Sequence, residues 1–460
     1  GGQVHAMLGD GLKIRQDTAL GERQTFAGWQ GEGPLDGRLQ LDIPLARQAG
    51  ALRAVVDFAT EDARLQLPQP ALELQQLRGS FRYDTARGLS APEIRGRAFD
   101  RPLRAAIEAR GQPGKPLSRL DVRSSIAVER LASWLGAAPA EVSASGELPY
   151  RLWLDLDFGE ASQLRVSSDL RGTRIDLPAP LGKPAEETRS ASWSMTLGGA
   201  ERRYELSYAG LASLALVAPP GRLAGGRGEL RLGGEAAQIP RELGLHVRGR
   251  LSEFDWPAWQ TLQARRRGGP AGELLQSAEL ELARFTAGSL SLEQLRVGLR
   301  RGGRNWRLRL ENPQLLGEVV IPPAASAPLR IELQRLRLPA RESAVEKARR
   351  EAAGIAASDP LAALDPRSLP AMDVSIQALY LGEERLGRWH FRSRPSGSGA
   401  RFDQLDLDLK GLRLDGSLDW QGTGMASRTA YRGRLSGGDL SDVLLAWGYA
   451  PSITSRDFQV

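Results

Sequence analysis

Two pairs of carboxylates, Asp155 with Asp157 and Asp406 with Asp408, stand two residues apart, which places each pair on one face of a strand. A glycosidase needs two carboxyl groups about 5 to 10 Å apart across a substrate cleft, and same-face strand neighbours can meet that distance. Leucine-in, aspartate-out alternation explains both pairs fully, so a solvated strand face is preferred to catalysis. The three histidines are far apart. Alternation sets His246 beside Arg248, and His390 beside Arg388 and Arg392, on wet faces. Both read as solvated side chains rather than ligands or pH switches, and His5 lies near the start of the chain. Cysteine is absent, which excludes thiolate nucleophiles, zinc ribbons, iron–sulfur ligation and disulfides. No GKS or GKT phosphate loop, GxSxG elbow or HExxH pair occurs. The glycines of 224–228 and the pair Gly233–Gly234 read as hairpin turns, with a phosphate cradle as the weaker alternative. No catalytic residue, metal site or cofactor is therefore expected.

Composition narrows the field further. The 460 residues carry a formal charge of +7 and are 41% apolar. Of the 62 basic residues, 57 are Arg and 5 are Lys, scattered among 55 acidic ones. The one dense basic run, Arg265–Arg266–Arg267, sits in a stretch read as a Gly/Pro-flanked loop, and basic residues are not interleaved with aromatics on one face. Nucleic acid is not an expected partner. No run of 18 uncharged apolar residues could span a bilayer as a helix. The opening Gly1–Gly2–Gln3 carries no leader pattern, so the chain reads as an internal piece of something longer.

The elements that position these residues alternate with period two almost from end to end. In Tyr150–Phe158, Tyr150, Leu152, Leu154, Leu156 and Phe158 share one face, and Arg151, Trp153, Asp155 and Asp157 the other. The same style continues through Val297 and Leu299; Leu308 and Leu310; Val319 and Ile321; Ile331 and Leu333; Val374 and Ile376; Leu405, Leu407 and Leu409; and Leu418. Such runs between Gly and Pro punctuation predict half-buried antiparallel strands with one greasy and one wet face. Helix formers concentrate at 341–357. Shorter helices are predicted around Leu131–Gly136, Trp256–Leu262 and Asp442–Gly448, each closing a strand with a Trp that caps a hydrophobic end. Leu280, Leu282, Phe285, Gly288, Leu292, Leu295 and Val297 match Val374, Ile376, Leu379, Gly382, Leu386, Trp389 and Phe391 at an offset of 94. Leu310, Leu315, Gly317, Val319 and Ile321 match Leu409, Leu414, Gly416, Leu418 and Trp420 at an offset of 99. A longer loop at Ser393–Gly399 would absorb the difference. The fold expected from the pattern is all-β: an elongated stack of repeated antiparallel meanders with a few short helices. Its segments are read as 1–170, 171–277, 278–371 and 372–460.

Two stretches carry a resemblance. One is Ile175–Pro184, a strand closed by a proline-rich turn. The other runs from Asp359–Pro360 through Leu364–Pro370, the strand Met372–Ile376, Leu381–Trp389 and Leu412–Trp420. With the strand and helix at Tyr431–Gly448, they resemble the YhdP family of AsmA-like proteins, related to bridge-like lipid-transfer proteins. The resemblance implies that the elongated, twisted antiparallel sheet is rolled into an open hydrophobic groove in the periplasm that conducts phospholipids between inner and outer membranes, in a longer protein anchored in the inner membrane. Phospholipids and unidentified components of both membranes are the implied partners, and a monomer is expected. The eighteen candidate groove residues are Leu152, Leu154, Leu156, Phe158, Val297, Leu299, Leu308, Leu310, Val319, Ile321, Ile331, Leu333, Val374, Ile376, Leu405, Leu407, Leu409 and Leu418. The structural rival is a non-catalytic envelope scaffold with a closed, filled interior. An outer-membrane barrel is disfavoured by 7 Tyr and 10 Phe without aromatic girdles, and a carbohydrate hydrolase ranks last.

Overall fold

The computed structural model describes residues 2–7, 30–42, 53–67, 71–112, 117–137, 142–157, 162–223, 225–265, 274–288, 290–324, 326–338, 365–422, 427–446, 455 and 457–460. The chain forms two compact units. Unit 1 comprises Gly1–His246 with Gln260–Leu275, and unit 2 comprises Val247–Trp259 with Gln276–Val460.

Unit 1 opens with β1 (Gly2–Met7), β2 (Gln30–Glu32), β3 (Pro34–Asp42), β4 (Arg53–Leu67) and β5 (Leu72–Asp84). There follow β6 (Gly88–Ala98), β7 (Arg101–Ala109), β8 (Leu117–Ala127), helix α1 (Val128–Trp134) and β9 (Ala144–Asp157). It ends with β10 (Gln163–Ser168), β11 (Thr173–Ile175), β12 (Ala191–Thr196), β13 (Arg202–Tyr208), β14 (Ala212–Ala218) and β15 (Arg227–Leu232). From β3 to β10 each strand pairs antiparallel with the next, and the ladder continues β10–β12–β13–β14–β15. β1 flanks β3, β2 pairs with the far end of β4, and β11 pairs with the first residues of β9. In a flat sheet, strands two apart lie nearly 10 Å from each other. β6 nevertheless approaches β8 across β7, so the sheet curls tightly there. Register shifts in the β4–β5, β5–β6 and β6–β7 pairs accompany the curl, as bulges sharpen twist. Its inner side buries Ala63, Leu77, Ala91 and Ile94, then Ala98, Leu103 and Val122.

Strand β16 (Gly244–Asp255) and helix α2 (Trp256–Arg265) carry the divide between the units. Unit 2 continues with β17 (Leu275–Ala287), β18 (Leu290–Gly302), β19 (Asn305–Glu311), β20 (Leu315–Ile321) and β21 (Leu329–Leu338). After β22 (Met372–Leu381) come β23 (Glu384–Ser396), β24 (Gly399–Leu409), β25 (Leu412–Gln421) and β26 (Arg428–Gly437). Helix α3 (Leu440–Ala446) and β27 (Phe458–Gln459) close it. Consecutive strands pair antiparallel, joined by two-residue turns with positive φ at Gly288, Gly303, Gly382 and the Lys410–Gly411 pair, the geometry that matches strand twist.

One pairing departs from the antiparallel expectation: β21 and β22 run parallel. A parallel neighbour cannot be reached by a hairpin and needs a long crossover; residues 339–371 are that connection. The helix expected at 341–357 lies outside the described residues. A second departure concerns the spacing of the matched segments. Ser396–Gly399 is a tight hairpin like Gly302–Asn305, so no longer loop occurs there. One extra residue enters β24 at a bulge marked by Gln404, φ 54°. The rest comes from a longer β24–β25 hairpin, because Leu310 pairs with Gly317 whereas Leu405 pairs with Gly416. The matched glycines share a physical reason: a Cβ on Gly317 would meet Leu333 Cδ2 at 2.5 Å, and one on Gly416 would meet the Arg432 carbonyl oxygen at 2.3 Å.

The three short helices overlap the predicted ones, α1 and α2 directly after a strand and α3 two residues after one; Trp447 and Gly448 of the third lie outside the described residues. Trp134 of α1 donates its Nε1–H to the Ala71 carbonyl at 3.1 Å and meets Phe99 edge-on at 5.5 Å. Trp259 stacks on Phe254 at 5.4 Å, and Phe254 on Phe285. Arg265 is the last residue of α2 rather than part of a loop; Arg266 and Arg267 lie outside the described residues.

Candidate functional site: an uncovered apolar face

Cross-strand register turns the alternation into continuous rows. In unit 1 one row runs Ile94, Ala105, Val122, Leu152, Val166, Trp193, Leu206, Leu214, Leu230, crossing nine strands. Beside it run Ala91, Ile107, Leu120, Leu154, Leu164, Met195, Tyr204, Leu216 and Gly228. At about 4.8 Å per strand each row is about 40 Å long. In unit 2 a row runs Leu280, Val297, Leu310, Gly317, Leu333, Ile376, Trp389, Leu407, Leu414 and Leu435. Its neighbour runs Ala278, Leu299, Leu308, Val319, Ile331, Val374 and Phe391.

Burial shows what covers these rows. Leu152, Leu154, Leu164, Val166, Trp193, Leu214 and Leu230 are half-buried, and Leu206 is 37% exposed. Side chains squeezed only by neighbours on their own sheet keep such exposure, whereas a second layer would bury them. In unit 2, Val297, Leu299, Leu308, Leu310, Val319, Ile321, Ile331, Leu407, Leu409 and Leu418 are half-buried too. Leu333, Val374, Ile376 and Leu405 are instead buried at 5 to 8% exposure. The first three belong to a packed cluster with Leu379 and Leu386, against which Trp389 and Phe391 lean. Of the remaining candidates, Leu156 pairs with Ser118 through its backbone, and Phe158 lies outside the described residues. Unit 1 thus gathers Leu152 and Leu154, and unit 2 gathers the set from Val297 to Leu418.

The opposite face is zipped by ion pairs. Asp155 takes a bidentate contact from Arg119, and Asp121 one from Arg151. The Arg151 hydrogen bond holds the Asp121 carboxyl below its usual range, and Arg101, helped by Ser125, does the same for Glu147. Asp406 faces Arg388 and Arg413. Both carboxylate pairs singled out by spacing therefore have a member engaged by arginine. His390 is half-buried on this face, its Nδ1 3.9 Å from Asp373. A depression of about 870 Å³ here is lined by Arg82, Arg87, Arg110, Arg119 and Arg151 with Asp84, Glu108 and Asp121. No cluster of three metal-binding side chains occurs among the described residues. The glycines at 226 and 228 sit where a Cβ would strike β14, which explains them by close strand approach.

The segment Ile175–Pro184 belongs to a built strap between β10 and β12. Lys183 is 4% exposed and donates to the carbonyls of Leu170 at 2.9 Å, Pro184 at 2.8 Å, and Thr173. Burial pushes its pKa down. The strap closes on itself through Arg189 N–H to the Asp169 carbonyl and Gly172 N–H to the Ala185 carbonyl.

Sequence reasoning overlooked the face from β10 to β15. Strands such as Ala191–Thr196 and Arg202–Tyr208 are short and rich in Ser, Arg and Glu. The usable signal was the large residue at every second position: Trp193 and Met195, then Tyr204 and Leu206.

No helix among the described residues is long and apolar enough to cross a membrane. No curated protein and no solved structure matches the chain. The profile of the family described as YhdP protein matches residues 1–460, the whole chain; with its all-β ladders and the strap at Ile175–Pro184, the chain belongs to the YhdP family.

Proposed function

We propose that the apolar face is a non-catalytic path along which phospholipid acyl chains slide, in a periplasmic segment of a protein that moves phospholipids between inner and outer membranes. Family membership supports the envelope setting. The observation that carries the lipid is the part of these rows that stays half-buried or exposed, from Leu152 and Leu154 through Val166, Trp193, Leu206, Leu214 and Leu230 in unit 1 and through Val297, Leu299, Leu308, Leu310 and Val319 in unit 2. Exposing acyl chains to water costs about 0.8 kcal/mol per CH₂, so two chains of about fifteen carbons cost on the order of 20 kcal/mol. Leucine and valine walls remove most of that cost without directional bonds, which is what sliding requires. The ion pairs of the other face keep it wet and give the sheet its sidedness.

The test is phospholipid co-purifying with the 460-residue chain, measured by mass spectrometry. Leu308→Asp and Val319→Asp, at half-buried wall positions, should each cut the retained lipid about tenfold with an unchanged far-UV circular dichroism spectrum. Wild-type retention of lipid with no loss in either variant would contradict the reading. A scaffold role has one observation on its side, the packed cluster around Leu379, and predicts that neither variant matters.

A further inference from the structure

The apolar face of β12–β15 has two unlike margins. Along one, a third row of Ser168, Ala191, Tyr208, Ala212 and Leu232 ends the face. Here the strap stands: the Tyr208 hydroxyl donates to the Leu181 carbonyl at 2.8 Å, and Arg189 Nη1 lies 3.2 Å from the same hydroxyl. Arg189 is fully engaged, with Glu187 and the carbonyls of Pro180 and Leu181 as further partners.

The other margin differs. Arg202 is the first residue of β13 and shares the face of Tyr204 and Leu206, opposite Ala218. It is half-buried, its side chain makes no ion pair or hydrogen bond with the described residues, and its Nε is out of water without an acceptor. Burying a guanidinium nitrogen without an acceptor is costly, and arginine is matched to bidentate recognition of phosphate. Its neighbour Arg203, on the wet face, is paired with Glu205. Arg202 instead stands at the edge of a hydrophobic floor.

We propose that this stretch seats a diacyl lipid in one orientation, its phosphate on Arg202 and its acyl chains lying over Tyr204 and Leu206 toward the strap. This rests on the acyl-chain reading of the face and adds the polarity of the cargo. The dimensions agree. The seven residues of β13, Arg202 to Tyr208, span about 20 Å, and one leaflet of acyl chains is about 15 Å deep. The strap closes the tail side, and the margin at Arg202 receives the anion.

The chain is offered dioleoyl phosphatidylglycerol and dioleoylglycerol in equal amounts from detergent micelles, and the ratio retained is read by mass spectrometry. The wild type should favour the phosphate-bearing lipid about tenfold, the scale of a charge-assisted hydrogen bond. Arg202→Gln should abolish that preference and leave dioleoylglycerol retention unchanged, whereas Arg203→Gln on the wet face should keep the wild-type ratio. Independently of any variant, 1 M salt should shrink the preference, because about 3 Å of screening length remains. Equal retention of both lipids by the wild type, or an Arg202→Gln ratio like the wild type's, overturns the orientation while leaving acyl-chain binding in place. Retention of neither lipid overturns both.

Discussion

At the scale of single residues, the same side-chain type does different work according to the face it occupies. Leu308 and Leu333 read identically in the sequence, yet Leu308 is a half-buried wall residue and Leu333 is a packing residue of the β21–β23 cluster. Alternation reveals the face but not its coverage, because coverage depends on strands that pair from elsewhere in the chain. Lys183 was legible only as part of a turn; that its ammonium serves three carbonyls follows from the folding of the strap onto itself. Lys183→Met removes the donor and strands those acceptors, so it should cost about 2–4 kcal/mol in urea unfolding. Amide exchange over residues 169–189 should speed up before the rest of unit 1 does. Uniform exchange at the wild-type rate would show that the lysine is dispensable.

Among elements, strand type and one-sidedness were readable because period two survives every local irregularity. The positions of bulges were not. Gln404 with its positive φ carries no turn signature, and a bulge is decided by how two strands twist against each other. The parallel β21–β22 pair was equally hidden, since neighbours in sequence pair antiparallel by default. The wet face makes its own prediction through the β8–β9 pair of Asp121 and Arg151. The folded carboxyl titrates below its unfolded value, so the pair's contribution is complete above the ordinary carboxylate range and is lost as pH falls through the folded value. The pair is partly exposed, with side chains at 30% and 40%, so Arg151→Gln should cost at most about 1 kcal/mol at neutral pH. That difference from the wild type should vanish in acid, as read from urea midpoints across a pH series. A difference that persists in acid would mean that Arg151 acts through packing over Trp153, whose ring centroid is 4.6 Å from its guanidinium.

At the scale of the whole molecule, both units are built from strands with one apolar and one charged face. Each unit repeats one plan: an ion-paired wet face, an apolar face in continuous rows, and short helices that close strand ends with aromatic residues. The family match points to the envelope, and the proposed lipid path rests on the apolar face. The most direct measurement is a photocrosslinking scan with a benzophenone amino acid at consecutive positions of β13 and β19, in the presence of phospholipid vesicles. Lipid adducts should follow the strand period, forming at Tyr204, Leu206, Leu308 and Leu310 and failing at Arg203, Glu205, Arg307 and Arg309. Adducts at all eight positions alike, or at none, would contradict the conduit.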